Sequence, residues 1–106
     1  MYKVKYSNQA QIDLEDAISY IAKQSFANAL NYLQNYEKKI KLLLSTPYMG
    51  VECKTKLIKR ECRVLVHESH IIIYKVNEKT ENIFLIRIYH GSVDYAGKFN
   101  ARTLND

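Results

Sequence analysis

Long apolar runs are missing from this 106-residue chain. None approaches the ~20 residues that a membrane-spanning helix requires. The opening MYKVKYSNQ has no apolar h-region, so no secretory signal is expected and the cytoplasm is the expected compartment. No internal repeat and no low-complexity segment occurs. There are only two cysteines, Cys53 and Cys62, with no Cys-x-x-Cys and no histidine pair at ligand spacing. A zinc site needs four such ligands, so no metal is expected. In a cytoplasmic chain the two cysteines are expected to be reduced, ordinary and partly buried. No cofactor is expected either.

What is present fits a folded domain. Apolar residues make up 47% and charged residues 25%, the balance of a globular protein. A chain of this length supports one modest core, so residues 1–106 are expected to form a single domain. The net charge of +5 permits an acidic partner, whether nucleic acid or protein, and is equally a plain solubility surplus.

Tyr2, Val4 and Tyr6 alternate with Lys3 and Lys5, the pattern of a short strand with one buried face. Ser7 or Asn8 then offers an oxygen to a helix start. Ala10, Leu14, Ala17, Ile18, Ile21 and Ala22 recur three or four apart, predicting a helix over about residues 9–24. Asp13, Glu15 and Asp16 sit early in it and Lys23 late, as the helix dipole favours. Ser25 caps a second helix, over about residues 26–44, with the stripe Phe26, Leu30, Leu33, Tyr36, Ile40 and Leu43 or Leu44. Lys38, Lys39 and Lys41 gather towards its C-terminal end. Pro47 and Gly50 break the chain after it. So short a link at Ser25 predicts an antiparallel helical hairpin over residues 7–45.

Lys54, Lys56, Lys59, Arg60 and Arg63 then crowd together, opposed only by Glu61. Two accounts are open: an edge protected by lysines or a patch for an anionic partner. Three strands follow over residues 60–90. Cys62, Val64 and Val66 are expected on one face, with Arg63, Leu65 and His67 on the other. Residues 71–76 are apolar on both faces until Lys75, which marks a central strand. In the last strand Phe84, Ile86 and Ile88 are expected to share a face opposite Leu85, Arg87 and Tyr89. Short links make these neighbours an antiparallel meander. The fold class is therefore α+β, a two-layer β-α-α-β-β-β arrangement with the helical hairpin on one face of a twisted, mainly antiparallel sheet. The other face is expected to be partly open. Without bulges, Arg63, His67, Arg87 and Tyr89 share one face. Residues 91–106 form a C-terminal tail.

Several segments carry a family likeness. Ala10-Gln11-Ile12-Asp13-Leu14 is similar to the start of an A-x-x-D-L-x-x-I helix, with Ile18 one residue beyond the pattern's isoleucine. Ser69-His70-Ile71-Ile72-Ile73-Tyr74-Lys75-Val76 matches an H-x-I-x-Y-R/K-V strand, and Ile86-Arg87-Ile88-Tyr89-His90-Gly91 with Asp94 matches a strand ending in H-x-x-x-D. In this order, over nearly the whole chain, they resemble the RelE/ParE superfamily of bacterial toxins from type II toxin–antitoxin pairs. That resemblance implies the fold above and a cognate antitoxin, in a possible hetero-oligomer with the toxin. It leaves three readings. A ParE-like member poisons DNA gyrase without catalysis of its own. A RelE-like member is a ribosome-dependent endoribonuclease that cuts mRNA. An inactive relative only binds an antitoxin.

Cleavage by a 2′-hydroxyl needs an acid, a base and cations for the developing phosphorane charge. The candidates here are Arg63, Arg87 and His90. RelE-like toxins usually carry an arginine where this chain has Ile71, which removes one charge stabiliser. His90 is expected to be held by a hydrogen bond with Asp94. The resemblance therefore leans towards the ParE-like branch and gyrase, with the ribosome and mRNA as the alternative. Candidate target contacts are Asp94, Tyr95, Lys98, Phe99 and Arg102, since an exposed aromatic beside a cation suits an interface. Against that stands a merely frayed terminus. The antitoxin's C-terminal segment is expected across the hairpin and sheet, with the basic patch speeding its association.

Overall fold

A computed structural model describes residues 1–53 and 61–102 of the chain. Lys54, Lys56, Lys59 and Arg60 of the basic patch lie outside the described residues, as does the side chain of Arg102. The order of elements is β1 (Lys3–Tyr6), α1 (Asn8–Gln24), α2 (Phe26–Ser45), β2 (Val51–Glu52), β3 (Arg63–His67), β4 (His70–Asn77), β5 (Asn82–His90) and α3 (Tyr95–Arg102). The five strands form one mixed sheet in the order β1-β5-β4-β3-β2. The meander β3-β4-β5 is antiparallel, and β1 adds to β5 in parallel. Apolar on both faces, β4 is the middle strand.

The helix caps fall where the serines predict. Ser7 Oγ accepts from Ala10 N at 2.9 Å and Ser25 Oγ from Asn28 N at 3.1 Å. Lys23 sits in the last turn of α1 as expected, but the other charges are placed differently. The first turn of α1 holds no acid, and the last turn of α2 no lysine. Asp13 therefore answers to a partner other than the helix dipole. The inner stripe of α2 is also rotated at its start. Ala29 and Tyr32 are buried, whereas Phe26 is 70% and Leu30 46% exposed. Phe26 and Leu30 were expected in the core by spacing alone. Tyr32 takes the inner position because its ring and hydroxyl meet the sheet there.

The core has two parts, one on each face of the sheet. Ala10, Tyr36, Ile40 and Leu43 of the hairpin meet Leu65, Ile72, Tyr74, Ile83, Leu85 and Ile88. Across the sheet, Phe99 of α3 meets Val64, Ile71, Ile73, Tyr89 and the two cysteines. The second face is thus half covered by a helix that the sequence pattern had left as a tail.

Cys53 and Cys62 are bonded to each other, with Cα atoms 5.2 Å apart, which corrects the expectation of two reduced thiols. Both are buried in the second cluster. Strand β2 pairs with β3 and brings Cys53 beside Cys62, whose carbonyl accepts from Cys53 N at 2.9 Å. That adjacency is a product of pairing, and spacing in the chain does not reveal it.

One bulge reassigns the last strand. Ile73 pairs with Arg87 but Tyr74 pairs with Leu85, leaving Ile86 as the extra residue. A bulge shifts all later side chains to the opposite face. Ile83, Leu85 and Ile88 therefore face the hairpin, while Ile86 and Tyr89 face α3. The expected set Phe84, Ile86 and Ile88 is split. So is the expected shared face: Arg63 and His67 turn towards the helical side, Tyr89 towards α3, and Arg87 towards α1. Ser7 seals the bulge, donating from Oγ to the Ile86 carbonyl at 2.7 Å and from its N–H to Leu85 O at 2.9 Å.

Candidate functional site

Each residue proposed for phosphate chemistry is already engaged. The parallel strand β1 ends at Tyr6, so beyond Leu85 the outer edge of β5 has no strand neighbour among the described residues. Asp13 of α1 takes that place. Its carboxylate accepts from Ile88 N at 2.9 Å and from Arg87 Nε at 2.8 Å and Nη2 at 3.2 Å. The ion pair is largely shielded, with side chains 9% and 14% exposed. Burial alone would lower the Arg87 pKa, but the hydrogen bonds and charge of Asp13, with help from Tyr89, outweigh it, and the pKa is raised. The guanidinium also lies 4.4 Å from the centre of the Tyr89 ring. It is a structural cation, neutralised in place.

Arg63 serves the opposite flank of the sheet. Its Nη1 donates to the carbonyls of Tyr48 at 3.1 Å and Gly50 at 2.8 Å. It also stacks over the Tyr48 ring at 4.8 Å and stands 3.9 Å from Glu52. It pins the segment between α2 and β2. Tyr74 completes that anchor: its hydroxyl donates to Pro47 O at 2.8 Å and accepts from Gly50 N at 2.9 Å. Gly50 has to be glycine for a steric reason, since an added Cβ would lie 2.7 Å from the Tyr74 hydroxyl and 2.9 Å from the Val64 carbonyl. Arg63 therefore belongs to the support of the fold rather than to a free anionic-partner patch.

His90 does not bond Asp94. Its Nδ1 meets Ser92 Oγ at 2.6 Å and accepts from Ser92 N at 3.1 Å. Asp94 instead caps α3, accepting from Gly97 N at 3.1 Å. His90 has a different neighbour that spacing does not reveal. His67 pairs with His70 across the β3–β4 turn, and His70 pairs with His90 across β4–β5. Directly paired residues point to the same face, so all three histidines of the chain form one row at the end of the sheet. Tyr32 of α2 closes over the row. Its hydroxyl is 3.1 Å from His70 Nδ1 and its ring 5.0 Å from that of His67. Burial pushes the Tyr32 hydroxyl up to about 12, aided by Glu68. Burial also lowers the pKa of both His67 and His70, overriding the opposite pull of Glu68. The two are held neutral inside the fold. His90, at the open end, borders a groove between α1 and α3 that Asp16, Tyr20 and Lys98 also line.

Of the expected target contacts, Lys98 is exposed and Tyr95 is half-buried against the second core. Phe99 is 1% exposed. It anchors α3 to the sheet and is not an exposed aromatic; this corrects its place among the contacts. Arg87 and His90 line one groove, whereas Arg63 lies on the opposite flank of the sheet, and each of the three is tied to a local partner. Asp13, Ser7 and Tyr32, none of them predicted as functional, are the residues that hold the ends of β5 and the histidine row. Asp13 lies in the A-x-x-D-L segment, so a signal existed, but its partner did not show in the sequence.

Comparisons with known proteins agree with this architecture. The model of the family described as the ParE toxin of the type II toxin–antitoxin system parDE matches residues 4–95. No curated protein shows significant sequence similarity. Among solved structures, one described as the chromosomal ParDE toxin–antitoxin system from P. aeruginosa superimposes with a TM-score of 0.62 at 21% identity, covering 85% of this chain and 96% of that one. At that identity the likeness shows a common fold. The family match runs from β1 to the first residue of α3, through the Asp13–Arg87 brace and the bulged strand: the chain belongs to the ParE toxin family of type II toxin–antitoxin systems.

Proposed function

We propose that this toxin arrests growth by binding DNA gyrase and trapping its cleaved DNA complex, and that a cognate antitoxin neutralises it in the cytoplasm, forming a hetero-oligomer. Family membership supports the toxin half of this reading. The observation that carries the choice of gyrase over mRNA is that each nuclease candidate is already engaged by a neighbouring group. Phosphorane stabilisation requires an unneutralised cation beside an acid and a base at hydrogen-bond reach. Arg87 is neutralised by Asp13, Arg63 is spent on two carbonyls, and His90 is held by Ser92. Ile71, where RelE-like toxins carry an arginine, supplies no further cation. The proposed gyrase contact is the exposed side of α3, led by Lys98 with the half-buried Tyr95 at its margin, Asp94 holding its first turn and Arg102 at its end. Phe99 is the anchor that keeps α3 in place.

The test is expression in bacteria with two readouts. SOS induction and gyrase-linked double-strand breaks are expected, along with inhibition of purified gyrase in a supercoiling assay. Lys98→Glu is expected to reduce both while leaving the circular dichroism spectrum unchanged. Codon-biased mRNA cuts within minutes, without DNA damage, would overturn the reading.

A further inference from the structure

Helix α3 covers only half of the second face of the sheet. The uncovered half has an unusual composition. Register places Lys5 of β1 beside Phe84 of β5, and Phe84 beside Lys75 of β4. One step towards the sheet end, Lys3, Asn82 and Asn77 form the next row. Residues paired in register share a face. Their strand neighbours Val4, Ile83 and Val76 belong to the hairpin-side core, so these two rows face the other way. All three lysines are exposed, and Phe84 is 41% exposed. Six positions thus carry three cations, an aromatic ring, two amides and no acid. None of the three lysines enters an ion pair of the described residues. Nearby acids in the β4–β5 turn have other partners: Glu78 bonds the Tyr48 hydroxyl, and Glu81 faces the N-terminal ammonium at 3.5 Å.

Protection of a sheet edge explains part of this and leaves the rest. Lys3 and Lys5 lie on the edge strand β1, where lysine deters pairing with other chains. Lys75 lies on the central strand, which has no free edge. Phe84 lies on β5, between two neighbours. A bare phenyl flanked by ammonium groups on adjacent strands, each about 4.8 Å away, is suited to a polyanion that also offers flat apolar faces. A duplex hides those faces inside its stack. A single strand presents both, with phosphates for the lysines and a base to stack on the ring.

We propose that this open half-face, centred on Phe84 and flanked by Lys5 and Lys75, binds single-stranded nucleic acid. The proposal depends on the sheet alone and not on the gyrase reading, so either can fail without the other. Binding of purified toxin to a fluorescein-labelled oligothymidine, followed by anisotropy across a salt series, tests it. With three lysines on phosphates, log K is expected to fall with log salt at a slope of about −2, and Lys75→Gln to flatten it by about 0.7. Phe84→Leu is expected to weaken binding about tenfold at an unchanged slope, and Phe84→Trp to restore it. These surface changes leave the core intact, which circular dichroism checks. Absence of binding at low salt would overturn the proposal, as would Phe84→Leu with wild-type affinity. So would a slope indifferent to Lys5→Gln with Lys75→Gln, which places the strand elsewhere. Polyglutamate competing as well as the oligonucleotide would also overturn it, pointing to an acidic protein as the occupant.

Discussion

Replacing Asp13 with alanine removes four accepted hydrogen bonds at once, one of them from Gln9 Nε2 within α1. Arg87 loses its counter-ion, and the Ile88 N–H on the outer edge of β5 loses its acceptor. Breaking a buried pair by deleting one partner costs about 3–5 kcal/mol. An unsatisfied buried donor costs about 1–3 kcal/mol. The guanidinium keeps some access to water, with its side chain 14% exposed, so a total near 3 kcal/mol is expected, the low end of the pair cost. Against a total stability of about 5–15 kcal/mol this is a large fraction. With a urea m-value of about 1.5 kcal/mol/M, the unfolding midpoint should fall by about 2 M. Asp13→Asn keeps an acceptor for Ile88 and should lose about half as much. The decisive measurement is a double-mutant cycle. Arg87→Met alone leaves the carboxylate buried, so its cost should resemble that of Asp13→Leu. The two together remove both charges, and the pair should cost little more than either alone. A coupling energy of about 2 kcal/mol or more is expected; one below about 0.5 kcal/mol, the level of independent sites, would refute the brace.

Three further outcomes follow from the same geometry. Tyr74→Phe strips the Gly50 N–H and the Pro47 carbonyl of their partner and should cost about 2 kcal/mol, a drop of roughly 8–16 °C in Tm on thermal unfolding. Stability should fall with acid through the histidine row. His67 and His70 have depressed pKa values in the fold, so their contribution is complete above the unfolded value near 6.5 and is lost as pH falls from there through the folded values; a Tm that is equally flat over that window in the wild type and in His70→Gln would contradict this. Cys53→Ser with Cys62→Ser opens a link of sequence separation 9, for which chain entropy predicts a loss of about 2–3 kcal/mol, and wild-type protein treated with dithiothreitol should match the variant in urea.

Strands β1 and β3 to β5, the two hairpin helices with their caps and the central position of β4 were legible in the sequence because they are local; β2 and α3 were not. Serine before an amphipathic stripe sets a helix start wherever the helix packs, and an apolar run on both faces needs two covered sides. The β-α-α-β-β-β order and the family likeness rest on such patterns. Tertiary structure alone decided which way the functional side chains point. A single extra residue at Ile86 reverses the face of everything after it, and no periodicity before or after the bulge records it. That reversal sends Tyr89 under α3, brings His90 into line with His70 and His67, and leaves Arg87 at the edge for Asp13, seventy-four residues away in the chain. The Cys53–Cys62 bond and the burial of Phe99 share this cause. Both depend on strands and a helix meeting across the sheet, and long-range contact is what a one-dimensional pattern does not carry.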